Sequence, residues 1–172
     1  MLASAVEARG FENALRSLLA GSRGQVLHVV GVGNPLRGDD GVGVEAVRLL
    51  RAKLGPRGNQ RVVVHPPATR PEILIGKLAS ERQWILVLDA VEANMAPGST
   101  VCARLGETRF GFFATHDLPL RLIPGVSGNL DRMAVAGVQP ESVDVEEVIS
   151  PTVRVAVSAL VAGLLSVVGE RH

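Results

Sequence analysis

Aromatic side chains are scarce in this sequence, whose 172 residues include four Phe, one Trp and no Tyr. Stacking of nucleic-acid bases on aromatic rings is therefore not an expected mode of recognition. The 18 basic and 17 acidic residues give a net charge of +1, and the two signs are interspersed rather than grouped in blocks. The sequence therefore lacks the basic surface that would predict a nucleic-acid or membrane partner.

Cysteine and long apolar segments are equally limited. Cys102 is the only cysteine, which excludes an internal disulfide and any metal site built from several thiolates. Its place in an apolar segment predicts a buried, unreactive thiol. No run reaches the roughly 18 to 20 apolar residues of a membrane span, and the N-terminus lacks the residue order of a signal peptide. We therefore expect a cytoplasmic protein with no membrane partner.

What the sequence does contain is aliphatic residues, since 47% of the chain is hydrophobic. A chain of this length can bury a substantial single core. Apolar segments typical of buried strands alternate with amphipathic segments, which predicts an α/β sandwich with a largely parallel sheet. The predicted strands are 26–32, 61–65, 84–91, 100–105 and 133–138, and the predicted helices are 42–54, 71–78 and 151–168, the last capped by Ser150.

The first 24 residues are predicted to form an extension to this domain. Apolar residues recur at helical spacing between residues 5 and 19, with charged residues between them. We expect a short amphipathic helix that packs on the domain or on a partner. Residues 25–172 then form a single domain.

The segment Gly31–Gly43, with the sequence GVGNPLRGDDGVG, joins the first predicted strand to the first predicted helix. It places Asp39 and Asp40 at the carboxyl end of a buried strand, where open α/β sheets bind their ligands. One aspartate suffices to cap the helix, so the pair leaves a further role open. The glycine spacing differs from G-x-G-x-x-G, and the two acids would repel a phosphate, so dinucleotide binding is disfavoured.

Asp89 and His116 are the other candidate site residues. Asp89 interrupts an apolar strand, where a carboxylate is costly unless it is paired, hydrogen-bonded or metal-bound. The carboxyl ends of the first and third strands lie on one edge of a parallel sheet, so Asp40 and Asp89 can converge, with His116 arriving from a later loop. Two carboxylates and an imidazole suit zinc or nickel. From these residues alone, a capping Asp89 and a surface His116 stay open as alternatives.

Other residues carry no recognisable chemistry. His28 lies inside the first strand and His65 precedes a Pro-Pro turn, so both are predicted to be structural. The motifs G-x-S-x-G and H-E-x-x-H are absent, which disfavours a serine hydrolase and a standard metalloprotease.

Five motifs, in this order along the chain, resemble those of the hydrogenase maturation endopeptidases. These enzymes remove the C-terminal extension of the large subunit of nickel–iron hydrogenases after nickel insertion. The resemblance runs from about residue 26 to the last helix and leaves residues 1–24 outside it. The motifs are Gly31–Gly43, Val87–Ala90, Thr115–Pro119, Gly137–Glu141 and Ser150–Val153.

The resemblance implies a fold and a site. The fold is a three-layer α/β/α sandwich, phosphorylase/hydrolase-like, with a five-stranded mixed sheet that has one antiparallel strand. The catalytic and metal-binding residues implied are Asp40, Asp89 and His116, expected at an exposed cleft. Some members carry Glu at the first position, so Asp40 is a shorter ligand. Asp39 and Asn34 are expected to orient these side chains.

The resemblance also implies a partner and a metal. The partner is a hydrogenase large-subunit precursor, which carries the nickel, and the enzyme is expected to be a monomer with no organic cofactor. Hydrolysis by a metal-polarised carbonyl and hydrolysis by a carboxylate general base both stay open. The alternative functions are a hydrolase that holds its own zinc in the same site and a non-catalytic chaperone that binds the precursor.

Overall fold

The computed structural model describes residues 2–55, 61–106, 113–114, 120–144 and 148–169. Within these residues there are four α-helices and six strands, together with short 3₁₀ turns. The helices are α1 (Leu2–Leu18), α2 (Val42–Leu54), α3 (Pro71–Ser80) and α4 (Pro151–Gly169). The strands are β1 (Leu27–Gly31), β2 (Val62–Val64), β3 (Trp84–Glu92), β4 (Thr100–Arg104), β5 (Phe113–Ala114) and β6 (Met133–Val138).

The main sheet has the strand order β2-β1-β3-β6-β4. Strands β2, β1, β3 and β6 are parallel, whereas β4 runs antiparallel to β6. The two-residue strand β5 adds antiparallel to the end of β3. The predicted α/β fold with a largely parallel, mixed five-stranded sheet is therefore confirmed, and β4 is the antiparallel strand of the main sheet.

The central strand β3 is buried on both faces because helices cover the sheet on both sides. Its even-numbered leucines, such as Leu86 and Leu88, pack into a core with α1, α2 and α4. Its odd-numbered residues, such as Ile85 and Val87, pack into a second core with α3 and the turns near residues 120–132. Successive residues of β3 thus enter opposite cores, which explains why the strand is a continuous apolar run.

Helix α1 belongs to the first of these cores. It packs against α4 and β4, and Phe11 and Leu15 are buried there together with Leu19 just beyond the helix. The amphipathic helix predicted between residues 5 and 19 is confirmed. Among the described helices, α4 alone is long and apolar enough to cross a membrane, by length and composition, and half of it is buried, as in the core helix of a globular protein.

Candidate active site

The turn Gly38–Gly41 brings Asp39 and Asp40 to the carboxyl edge of the sheet, immediately before α2. Both side chains are buried, with only 2% of each residue exposed. The turn contacts β3, the strand that carries Asp89. The structure therefore brings the elements with Asp40 and Asp89 to one edge, as predicted from the sequence.

The glycines of this segment allow close backbone packing. Gly33 has a φ of +126°, which L side chains rarely adopt, and a Cβ there would collide with the carbonyl of Asp40. A Cβ on Gly43 would collide with the carbonyls of Leu88 and Val32. The glycines thus seat the acidic turn and the first turn of α2 directly against β1 and β3. This role explains why their spacing differs from that of a phosphate-binding loop.

Asp40 is held by the loop that precedes it. The backbone N–H of Asn34 donates to Asp40 Oδ2 at 2.9 Å. The side chain of Asn34 is used elsewhere, because its Oδ1 accepts the N–H of Leu36 at 3.0 Å in an Asx turn. Asn34 therefore orients Asp40 through its main chain, and its side chain shapes the loop.

Asp39 has a different environment from its neighbour. Its Oδ2 accepts the N–H groups of Glu141 at 2.8 Å and Ser142 at 3.2 Å, and the hydroxyl of Ser150 at 3.0 Å. Its Oδ1 accepts the N–H of Ser150 at 2.7 Å. A carboxylate has about four acceptor positions, so these bonds use its capacity. Asp39 therefore ties the connection between β6 and α4 to the acidic turn and is not a candidate general base.

Ser150 is at the predicted N-cap position of α4, but its hydroxyl bonds to a residue distant in the sequence. It stands at the N-cap position of α4, since its carbonyl accepts the N–H of Arg154 at 2.9 Å. Its hydroxyl donates to Asp39. The serine was predicted from its capping chemistry, whereas its partner lies more than 100 residues away in the sequence.

Asp89 lies inside β3 rather than at its end, and its residue is 1% exposed. Its backbone is in register with Gly137 of β6, and its Oδ1 accepts the N–H of Ala90 at 2.8 Å. The expectation that Asp40 and Asp89 lie in an exposed cleft is wrong. The strand continues for three residues past Asp89, and the acidic turn packs on it, so both carboxylates are enclosed.

His116 and Asp117 lie outside the described residues. Strand β5 ends two residues before His116, and its register pairs Val91 with Ala114 and Glu92 with Phe113. The chain therefore runs along β5 in the direction that leads back toward Asp89. Within the described part of the chain, no group of three or more His, Cys, Asp or Glu side chains is arranged to hold a metal ion.

Gln139 is a residue of this edge that sequence reasoning left without a role. Only 4% of it is exposed, and its Oε1 accepts the N–H groups of Ala93 at 2.8 Å and Met95 at 3.3 Å. Its Nε2 donates to both carboxylate oxygens of Glu92 at 3.0 Å. The signal available was its place in the motif Gly137–Glu141, directly after β6 at the carboxyl edge.

The remaining titratable candidates are structural in this fold. His28 Nδ1 and His65 Nε2 lie 2.9 Å apart in a hydrogen bond across β1 and the end of β2. The ring centroids are 5.2 Å apart and the planes are inclined by 22°, so the rings meet edge to edge. Burial raises the pKa of the half-buried Cys102 thiol to about 11, which keeps it protonated at neutral pH.

The enclosed carboxylates define what this edge can do chemically. A carboxylate shielded from bulk water can take a proton from a bound water or bind a metal ion more strongly than an exposed one. With Asp39 occupied by four donors, Asp40 and Asp89 are the acidic side chains of the turn and of β3 that fit this role. The two come from different elements, so their placement depends on the contact between the turn and β3.

The comparison with solved structures defines the class of fold: this chain has the fold of the hydrogenase maturation proteases. The NiFe hydrogenase maturation protease HycI from Thermococcus kodakarensis superposes with a TM-score of 0.72 at 24% identity, over 91% of this chain and 99% of that one. An endopeptidase from Escherichia coli gives 0.65 at 25% identity, over 85% and 93%.

The hydrogenase maturating endopeptidase HybD from Escherichia coli gives a TM-score of 0.62 at 21% identity, over 85% of this chain and 93% of that one. No protein-family model and no curated protein matches the sequence. The resemblance inferred from the five motifs is thus confirmed in the fold.

Proposed function

We propose that this protein is an endopeptidase that removes the C-terminal extension of a nickel–iron hydrogenase large-subunit precursor after nickel insertion. The observation that carries the proposal is the packing of the Asp40 turn against the strand of Asp89, at the carboxyl edge of a fold shared with hydrogenase maturation proteases. The activity named for those neighbours matches the chemistry that two enclosed carboxylates provide.

In this proposal Asp40, Asp89 and His116 form the catalytic and metal-contacting set. The position of β5 supports the inclusion of His116, because Ala114, two residues before His116 in the sequence, pairs with Val91, two residues after Asp89. Two carboxylates and one imidazole without a thiolate bind nickel more weakly than a thiolate-rich centre does. The set therefore contacts the nickel that the precursor already holds, and the metal serves as the signal that insertion is complete.

The hydrolytic step needs a base for water and a proton for the leaving amine. Asp40 or Asp89 can take a proton from water as the water attacks the scissile carbonyl, and the same carboxyl can then protonate the amine. The proposed enzyme acts as a cytoplasmic monomer in a transient complex with the precursor and uses no organic cofactor.

The test is cleavage of the co-encoded large-subunit precursor, loaded with nickel or nickel-free, followed by mass spectrometry of the precursor. We expect shortening of the loaded form alone. Efficient shortening of the nickel-free form would remove nickel recognition and leave the peptidase. Binding without shortening would favour the chaperone alternative, and one tightly held zinc per purified chain would favour the zinc hydrolase.

The site is tested with Asp40→Asn, Asp89→Asn and His116→Ala. Asparagine is chosen because both aspartates are buried, and the amide preserves their volume. Each variant should lose cleavage by about a hundredfold or more. The matched control is Asp131→Asn, an aspartate with 67% of its side chain exposed, just before β6 at the amino end of the parallel strands. Normal processing by all three site variants would show that the site is elsewhere.

A further inference from the structure

Gln139, directly after β6, forms hydrogen bonds to both ends of the segment that connects β3 to β4. Its side chain holds Ala93 and Met95 at the start of that connection. Its main chain holds the other end, since its carbonyl accepts the N–H of Gly98 at 2.9 Å and its N–H donates to Ser99 at 2.8 Å. One buried residue therefore fixes both ends of the segment 93–99.

The side chain of Gln139 also fixes Glu92, the last residue of β3. Glu92 accepts from Gln139 Nε2 and from the N–H of Asn94 at 3.1 Å. Glu92 is the residue of β3 that pairs with Phe113, where β5 begins. The amide of Gln139 thus contacts the residue of β3 at which β5 begins to pair with it.

The hydrogen-bonding pattern at residue 139 requires an amide. Two backbone N–H groups need an acceptor, and the carboxylate of Glu92 needs a donor, and glutamine provides both from one side chain. A glutamate there would keep the acceptor but bring two carboxylates within hydrogen-bond distance, which is unfavourable unless they share a proton. A leucine would leave buried polar groups without their partner, which is costly.

We infer that Gln139 is a positioning residue for the proposed reaction: it fixes the end of β3 at its junction with β5, three residues from Asp89 in the same strand. The inference rests on the proposed function. Among the described residues, the hydrogen bonds of the Gln139 side chain reach neither Asp40 nor Asp89, so Gln139 acts through Glu92 and the segment 93–95. The motif Gly137–Glu141 acquires a physical role, because Gln139 fixes one side of the edge while the N–H of Glu141 is held by Asp39.

The test exchanges the amide and the carboxylate between positions 139 and 92. Gln139→Glu should slow cleavage of nickel-loaded precursor about tenfold at pH 8, as expected for loss of a buried charge-assisted bond. The difference in cleavage rate between Gln139→Glu and wild type should shrink as the pH is lowered, because a proton shared by the carboxylates at positions 92 and 139 restores the hydrogen bond between them. Adding Glu92→Gln should restore most of the rate at pH 8, since the amide then lies on the other side of the pair.

A second readout reports the geometry without requiring activity. The amide hydrogens of Ala93 and Met95 should exchange faster in Gln139→Glu and return toward wild-type protection in the double variant. The control for added negative charge is Gln25→Glu, an exposed residue at the amino edge of β1, which should leave rate and exchange unchanged.

The two proposals fail in different ways. Absence of precursor cleavage by the wild-type protein overturns the proposed function. Cleavage by wild type together with equal rates for Gln139→Glu at every pH, or a double variant no better than the single one at pH 8, overturns the positioning role.

Discussion

Two adjacent aspartates of this chain have separate roles, and hydrogen bonding separates them. Asp39 accepts four bonds from the connection between β6 and α4, whereas Asp40 is oriented by the loop before it. A sequence cannot distinguish two neighbouring carboxylates of equal chemistry. The distinction comes from partners more than 100 positions away, which no local spacing encodes.

The role of Asp39 predicts a stability effect. In Asp39→Asn the amide N–H₂ group replaces one acceptor oxygen and faces N–H donors. We expect the free energy of unfolding to fall by about 2–4 kcal/mol, because buried donors lose their partner. Urea denaturation measures the change. Asp144→Asn, an exposed residue in the same connection, is the matched control and should change little. Equal stabilities for the two variants would contradict the role of Asp39.

The close approach at Gly43 makes a second prediction at this scale. Gly43→Ala places a methyl group against two backbone carbonyls that cannot move independently of the sheet. We expect destabilisation by about 3 kcal/mol or more, because overpacking against backbone is poorly relieved. Gly10→Ala is the opposite case, since a Cβ at Gly10 in α1 meets nothing within 4 Å. It should stabilise the helix by about 0.5–1 kcal/mol.

Both glycine variants are compared by thermal and urea unfolding. A Gly43→Ala protein as stable as wild type would show that the first turn of α2 is not seated as closely on β3 as described.

At the scale of elements, periodicity predicted most of the fold. The strands of the main sheet and α2, α3 and α4 have the predicted order with ends shifted by a few residues, because each has one apolar face or two. The antiparallel direction of β4 and the addition of β5 to β3 depend on pairing between distant strands. Neither leaves a periodic signal within its own few residues, so the junction that Gln139 supports was not predicted.

The pairing of β1 with β2 predicts a pH effect through His28 and His65. Burial lowers the pKa of both imidazoles below their ordinary value of 6.5. For His28, Gln83 and Glu81 oppose this shift, whereas for His65 the neighbouring His28 and Arg51 add to it. Between the lowered pKa values and 6.5 the unfolded chain binds more protons than the folded one. The stability contributed by this pair is therefore present above pH 6.5 and is lost as the pH falls below it.

The expected measurement is the free energy of unfolding at pH 8 and pH 5 for wild type and for His28→Gln/His65→Gln. Carboxylates contribute to the acid dependence of both proteins, so the comparison uses the difference between their slopes. The double variant should lose less stability between pH 8 and pH 5. A steeper loss in the double variant would show that the histidines do not titrate with lowered pKa values.

At the scale of the whole molecule, helix α1 of the N-terminal extension packs on α4 and covers part of it. Phe11 and Leu15 are buried against the apolar helix α4, and Arg16 donates to Ser166 of that helix at 3.2 Å. Arg104 of β4 donates to the carbonyl of Leu18 at 2.9 Å. The extension thus covers part of α4 and β4, and α2 and β6 cover other parts of α4.

Leu15→Ala tests this structural role of the extension against a role in partner binding. The residue is fully buried, so the truncation should lower the free energy of unfolding by about 2–5 kcal/mol. Val155→Ala, in which a 73% exposed residue of α4 is shortened, is the matched control and should change stability by less than about 0.5 kcal/mol. Because α1 lies on β4 and α4, cleavage of nickel-loaded precursor by Leu15→Ala at a temperature well below its unfolding transition should equal that of wild type. A stable Leu15→Ala protein with weakened precursor binding would instead assign the extension to the partner.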